Sequence, residues 1–284
     1  MAADTTTKKS FLVTYRIWII LGAIALTMPP LAVIFQVTQD ANFCGTWCPR
    51  MFFPWQGGMS LGEYFSGWTR AYMGVALVFG IVITTIFAGR YWCSHICPVG
   101  GSMEAGSRLV PKSMKINFSR VPAPSFRYGY LLVYMALPLL GLGSLCCGYC
   151  NFATVPRLFG SAFTQADMSF FLRTSGWTNL GLVAVLGVFA KGGRAYCNTI
   201  CPIGAIDALA NRFGPRFGKR MGVIGGKCNG CGKCKDVCPT WAIEMKNGEE
   251  QGRVASIDQL SCMPCRECEK VCQAEAIAYG NPQE

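Results

Sequence analysis

Two stretches late in the chain space their cysteines in a way that few chemistries require. Residues 227–239 read KCNGCGKCKDVCP and place Cys228, Cys231, Cys234 and Cys238 at C-x2-C-x2-C-x3-C. Residues 261–272 read SCMPCRECEKVC and place Cys262, Cys265, Cys268 and Cys272 at the same intervals. Three thiolates two residues apart on a tight loop can wrap one cubane, and the fourth starts a helix that carries it across to another. A doubled run of this kind is the ligand signature of two [4Fe–4S] clusters in a bacterial-type ferredoxin module. The spacing assigns Cys228, Cys231, Cys234 and Cys272 to the first cluster, and Cys262, Cys265, Cys268 and Cys238 to the second. Gly230 and Gly232 let the first loop turn tightly. Pro239 closes the first run, while Gln273 takes the place of a second proline. Zinc sites usually pair two C-x-x-C units over a longer spacer, and disulfides need an oxidising compartment. Neither suits a three-plus-one run used twice.

The chain has 17 cysteines, so nine lie outside these runs. Four of them sit in a repeated motif, GRYWCSHICPVG at residues 89–100 and GRAYCNTICPIG at 193–204, which match at seven of twelve positions. Cys93 and Cys197 lie 104 residues apart, as do Cys97 and Cys201. Outer cysteines repeat as well: Cys44 and Cys48 precede Cys146 and Cys150 by 102 residues, with Cys147 beside them. Parallel repeats are related by an axis along the membrane normal, which gathers each set of cysteines on one side. Cys93, Cys97, Cys197 and Cys201 then form an inner four-thiolate site, or else a repeated turn with small buried thiols. Cys44, Cys48, Cys146 or Cys147, and Cys150 form an outer site, or two disulfides. His95, the single histidine, is a ligand or proton-handling residue, or an interfacial polar group; one histidine cannot provide a bis-histidine haem.

The elements that must position these residues are apolar. Charged residues make up 14% of the chain and the mean hydropathy is +0.31, values that point to a membrane protein. Apolar runs predict four transmembrane helices at residues 15–37, 68–88, 128–145 and 172–190, the first kinked near Pro29 and Pro30. Residues 15–37 are too long for a signal-peptide core and lack a clean cleavage site. The expected layout is an N-terminal tail (1–14), a four-helix membrane domain (15–221) built of two repeats (15–100 and 128–204), and a C-terminal α+β two-cluster ferredoxin domain (222–284). The connection over residues 89–127 carries six basic residues (Arg90, Arg108, Lys112, Lys115, Arg120 and Arg127), whereas the outer loops carry only Arg50 and Arg157. By the positive-inside rule, both termini and the ferredoxin face the cytoplasm of an inner-membrane, multi-pass protein. The net charge of +11 comes mostly from basic residues flanking apolar segments, so nucleic acid is not expected as a partner.

On the four apolar runs, the two G-R-x-x-C-x-x-x-C-P-x-G motifs and the double cluster run, residues 15–272 resemble the NapH/MauN/NosR group of membrane-bound ferredoxin-type proteins. The resemblance implies a quinol dehydrogenase or quinone-linked relay subunit, passing electrons to cytoplasmic or periplasmic redox partner proteins. The additional outer cysteines depart from the simplest NapH-type pattern. They keep a second function open: an assembly or maturation factor supplying reducing power for metal or thiol handling on the outer face, where C-G-T-W-C-P and C-C-G-Y-C suit thiol or copper exchange. No phosphate loop, dinucleotide fingerprint or Ser/His/Asp set is evident, so the expectation is electron transfer rather than substrate chemistry. The two outer surfaces of a bilayer core are about 30 Å apart. Transfer between the two cysteine sites then needs a quinone or inward-folded loops between them, and the aromatic residues Trp47, Phe52, Phe53, Trp55 and Tyr149 could line such loops.

Overall fold

The computed structural model describes residues 14–28, 58–70, 72–141, 149–214, 218–248 and 252–280. The upstream part is helical: α1 (Arg16–Thr27), α2 (Leu61–Arg70), α3 (Tyr72–Ala88), α4 (Pro98–Leu109), α5 (Ala123–Leu139), α6 (Asn151–Gly160), α7 (Gln165–Phe171), α8 (Thr174–Val183), α9 (Ala195–Thr199) and α10 (Pro202–Phe213). Among the described residues no single helix is long and apolar enough to cross a membrane; α2 and α3 meet that test only when taken together. The four continuous spans expected from hydropathy are therefore represented by shorter pieces. The first expected span is described only as far as Met28. The second splits, with Trp68 in α2 and the apolar run in α3. The third starts early, because Pro122 and Ala123 open the helix five residues ahead of Tyr128. The fourth begins where expected, just after α7, and runs as α8 followed by a π-helical turn, Ala184–Val188. Hydropathy averages over such breaks, whereas backbone geometry does not.

The two repeats pack as a reciprocal pair. Helix α3 of the first repeat lies against α10 of the second, and the π turn after α8 lies against α4 of the first. Each repeat's leading helix also packs on its own inner helix, α1 on α4 and α5 on α10. The shared core contains Val99, Met103, Val155, Val183 and Tyr196. Large apolar side chains face outward from these helices, among them Trp18, Ile83, Phe87, Leu132 and Trp177.

The C-terminal unit has two antiparallel pairs, β1 (Arg220–Val223) with β4 (Ile277–Gly280) and β2 (Ile243–Gly248) with β3 (Gly252–Ile257). Two short helices, α11 (Lys233–Val237) and α12 (Glu267–Val271), pack on one another. Its core holds Met221, Ala242, Ile243, Ala255 and Ile277 together with cysteines. This unit sits on one end of the helical part. Arg16 at the start of α1 pairs with Glu267 at 3.3 Å. Tyr279 Oη donates to the carbonyl of Ala88 at the end of α3 (2.8 Å). Arg127 in the opening turns of α5 donates to Leu260 (2.7 Å). Pro239 lies against Gly192, beyond α8. The start of α1, the end of α3, the start of α5 and the end of the α8 segment thus all face the ferredoxin-like unit.

The junction is held by Glu104 on α4. Its carboxylate accepts from Arg16 Nη1 (2.8 Å) and Nη2 (2.6 Å) and from Arg194 Nε (2.9 Å). Burial alone would push this carboxyl up, but the Arg194 and Arg16 guanidiniums overcome it and hold it well below the ordinary carboxylate range. A depressed folded-state value means the stabilisation is complete above the unfolded value of about 4.5 and is lost as pH falls below it. We expect Glu104→Gln to lower stability by about 3–5 kcal/mol, because it strands two buried guanidiniums. Denaturant unfolding of purified protein at pH 7 checks the size. The same measurement at pH 3–4 should find the gap between parent and variant narrowed.

Candidate iron–sulfur sites

Each half of the repeated motif is built the same way. Cys97 N–H donates to Trp92 C=O (2.8 Å), closing a π-helical turn, Trp92–Ile96. Cys201 N–H donates to Tyr196 C=O (3.2 Å), the equivalent position 104 residues on. The second cysteine of each pair then caps a helix whose first residue is proline, Pro98 of α4 and Pro202 of α10. Proline suits that position because its nitrogen has no hydrogen to leave unpaired. A helix N-terminus favours a thiolate at its cap, and Gly204 N–H points at Cys201 Sγ (3.3 Å). Cys93 and Cys197 are buried together against Met263, and Cys97 and Cys201 join the apolar core beside them. Cys97 and Cys201 each lie within electrostatic reach of Cys197 and of one another, and Cys93 within reach of Cys97. The four inner cysteines expected to converge share one buried neighbourhood, drawn equally from both repeats.

The motif's arginines, which sequence reading passed over, reach across between repeats. Arg90 Nε donates to Asp207 (2.9 Å) and Nη2 to the carbonyl of Gly204 (3.2 Å), both on α10. Arg194 Nε donates to Glu104 on α4, and Nη1 to the carbonyl of Cys93 (2.6 Å). Both guanidiniums are almost wholly buried. The final glycine of each motif gives them room. A Cβ on Gly100 would lie 2.3 Å from Arg194 Nη1 and 3.3 Å from Cys197 Sγ. Identical letters at both arginine positions were the available signal, since nothing about cluster ligation alone demands them.

In the C-terminal unit, Cys228, Cys231, Cys234 and Cys272 line one pocket. Cys268 lies in reach of Cys265, Cys262 and Cys238, all four buried. These groupings match the two expected ligand sets, and they arise because α11 carries Cys238 away from its own loop and α12 carries Cys272 back. The two crossing cysteines receive matching N–H···S contacts, Ala242 to Cys238 and Ala276 to Cys272, both 3.3 Å. Burial pushes the Cys97 and Cys265 thiols up to about 11, so taking up iron there releases protons. Among the described residues, no three His, Cys, Asp or Glu side chains are placed to hold a single metal ion. A four-iron cluster draws its thiolates from a wider sphere, and the three sets of four cysteines fit that donor chemistry.

His95 is buried between Cys93 and Cys97, with Nδ1 against Ser94 Oγ (2.6 Å) and its ring stacked on Tyr91. Burial holds it down to about 4, with Arg16 and Arg194 adding to the effect, and Nε2 has no hydrogen-bond partner among the described residues. Of the outer cysteines, Cys44, Cys48, Cys146 and Cys147 lie outside the described residues, as do Trp47, Phe52, Phe53 and Trp55. Cys150 is described and half-buried. Its placement is a surprise: Tyr196, inside the second inner motif, donates its hydroxyl to Tyr149 C=O (2.9 Å) and lies in reach of both Cys150 and Cys201. One tyrosine separates Cys150 from the inner site, because α6, which follows it, turns back into the core through Val155.

A family model described as a 4Fe–4S binding domain matches residues 70–117 and 176–220, one stretch for each inner motif. A second, a 4Fe–4S dicluster domain, matches residues 227–276. The chain is similar to the methylamine utilization ferredoxin-type protein MauN of Methylobacillus flagellatus, 27% identical over 192 residues, 64% of this chain and 59% of the relative. It is also similar to MauN of Paracoccus denitrificans, 26% identical over 185 residues, 63% of this chain and 59% of the relative. The chain thus spans about three fifths of the length of these curated relatives. No solved structure matches it. The matched stretches contain the four inner cysteines and all eight of the C-terminal runs, so these findings support iron–sulfur binding.

The cramped Gly100 yields a selective test. Gly100→Ala puts a methyl where Arg194 Nη1 and Cys197 Sγ lie, so it should deplete the inner site and spare the ferredoxin-like pair. Iron and acid-labile sulfide analysis should find about four irons fewer per chain, with the cubane signals of the C-terminal unit unchanged.

Proposed function

We propose that this chain, which fits the MauN/NapH type of 4Fe–4S ferredoxin-type proteins, is a membrane-bound electron-transfer subunit exchanging electrons between a quinone pool and a redox partner protein. Three [4Fe–4S] clusters serve it in this reading: one held by Cys93, Cys97, Cys197 and Cys201, and two held by the C-terminal unit. When bound they supply one-electron transfer, and their potentials respond to hydrogen bonds and burial. The observation that carries the proposal is the seating of the second-cluster loop on the inner site. Met263 packs against Cys93 and Cys197, Pro264 lies against Gly89, and Arg90 and Arg127 both grip the carbonyl of Leu260. The chain's own residues therefore exclude water between two thiolate sets and hold them in register, as an electron-transfer protein requires.

Membrane placement is part of the proposal. The outward-facing Trp18, Ile83, Phe87, Leu132 and Trp177 suit a lipid environment, and all four helix segments present their basic ends to the ferredoxin-like unit, as the positive-inside rule asks. The C-terminal unit then faces the cytoplasm of the inner membrane. Exposed Cys231 at the first-cluster pocket marks that pocket as the exchange edge for a soluble partner.

Two measurements test this reading. Purified protein reconstituted under strictly anaerobic conditions should hold about twelve irons and as many sulfides per chain. In proteoliposomes a quinol should reduce the clusters, and Cys97→Ser should stop that reduction while dithionite still reduces the C-terminal pair. About eight irons, or reduction by quinol that ignores Cys97, overturns the reading.

A further inference from the structure

Five arginines are buried where the two repeats meet the C-terminal unit: Arg16, Arg90, Arg127, Arg194 and Arg220, the last donating from β1 to the carbonyls of Thr85 and Ile86. The carboxylates buried with them are Glu104 and Asp207. Among the described residues Arg127 has no carboxylate within salt-bridge distance; it donates to Asn198 Oδ1 (3.0 Å) and to the carbonyls of Asn198 and Leu260. Arg16 and Arg194 share the carboxylate of Glu104, and Arg16 also reaches the half-buried Glu267. Burying an excess of cations is costly unless a compensating anion lies close by. The cysteines supply that anion, since four thiolates around an iron–sulfur cluster leave a net negative charge.

The two motif arginines are placed for it. Arg194 Nη1 and Cys197 Sγ press on the same point, the missing Cβ of Gly100. In the other repeat, the missing Cβ of Gly204 would lie 2.5 Å from the Cys197 carbonyl oxygen and 3.3 Å from Cys201 Cβ, with Arg90 Nη2 in ordinary contact at 3.5 Å. Arg194 Nη2 lies 2.8 Å from Glu104 Oε2 yet is aligned with no acceptor among the described residues. Arg90 also lies in reach of Cys262, in the second C-terminal set. Each arginine is donated by one repeat to the half of the site built by the other.

We propose that Arg90 and Arg194 are positioning residues that hold the inner four-thiolate site between the repeats and set its reduction potential by their buried charge. The inference rests on the reading of that site as a cluster. Reduction adds negative charge, so a fixed cation favours the reduced form, and removing the cation moves the potential to more negative values. Among the described residues Arg90 reaches Cys262 as well as inner cysteines, whereas the cysteines Arg194 acts on most strongly are Cys197 and Cys97, so the two positions carry different signatures.

The test is an EPR-monitored redox titration of the intact, cluster-loaded protein and of Arg90→Gln, Arg90→Lys, Arg194→Gln and Arg194→Lys. Arg194→Gln should shift the inner potential negative and leave both C-terminal potentials in place. Arg90→Gln should shift the inner and the second-cluster potentials together. Each Lys variant should restore the parent value at least in part, which a purely structural role would not do. Should the Gln variants fail to fold, the parent protein labelled with 15N-guanidinium arginine decides the matter. Pulsed EPR on the reduced inner signal should detect a weak 15N coupling that Arg194→Lys reduces. An inner signal with no such coupling, or potentials indifferent to charge at both positions, overturns the proposal. Failure of the cluster reading is separate and is seen earlier, in an iron count of about eight in the parent.

Discussion

The pairing of each repeat's arginine with a carboxylate on the opposite repeat is the constraint from which the rest follows. Arg90 with Asp207 and Arg194 with Glu104 are buried, short and charge-assisted. Such pairs add little net stability over apolar packing, yet breaking one is expensive, so they favour one arrangement over its neighbours. Here the arrangement brings two C-x3-C-P turns face to face. Without the exchange of arginines, α3 would have no fixed register on α10, and four cysteines from distant parts of the chain would have no common neighbourhood.

The same interactions seat the ferredoxin-like unit. Glu104 draws in Arg16 from α1, and Arg16 reaches Glu267 of α12. Arg90 and Arg127 converge on Leu260, just ahead of the second-cluster cysteines. Two thiolate sets are thereby separated by a few packed side chains, with Met263 against Cys93 and Cys197. A low-dielectric junction strengthens every charge interaction inside it, which is why its arginine count matters to the chemistry as well as to the fold.

The far side of the repeat unit is less remote than the hydropathy pattern suggests. Helix α6 carries Val155 into the same core as Val99 and Tyr196, and the Tyr196 hydroxyl meets the chain at Tyr149. The segment that follows Cys150 is thereby folded against the second inner motif.

What the sequence by itself determined is what covalent spacing dictates. Eight cysteines at C-x2-C-x2-C-x3-C announce two cluster-type runs, although the fourth of each, Cys238 and Cys272, closes a short helix rather than starting one as the spacing suggests. A 104-residue repeat likewise announces that two C-x3-C turns are equivalent. Helix limits were less legible, because mean hydropathy runs through breaks such as that between α2 and α3. Only the tertiary structure decided which charged side chains face the inner site and which cysteines lie close to it. Arg90 and Arg194 are adjacent to those cysteines in sequence, but each guanidinium belongs in space to the other repeat's helix. Tyr196 lies in reach of both Cys150 and Cys201 because α6 folds back into the core. Contacts between residues 47 to 117 apart in the chain depend on packing, and packing leaves no local signature in the chain.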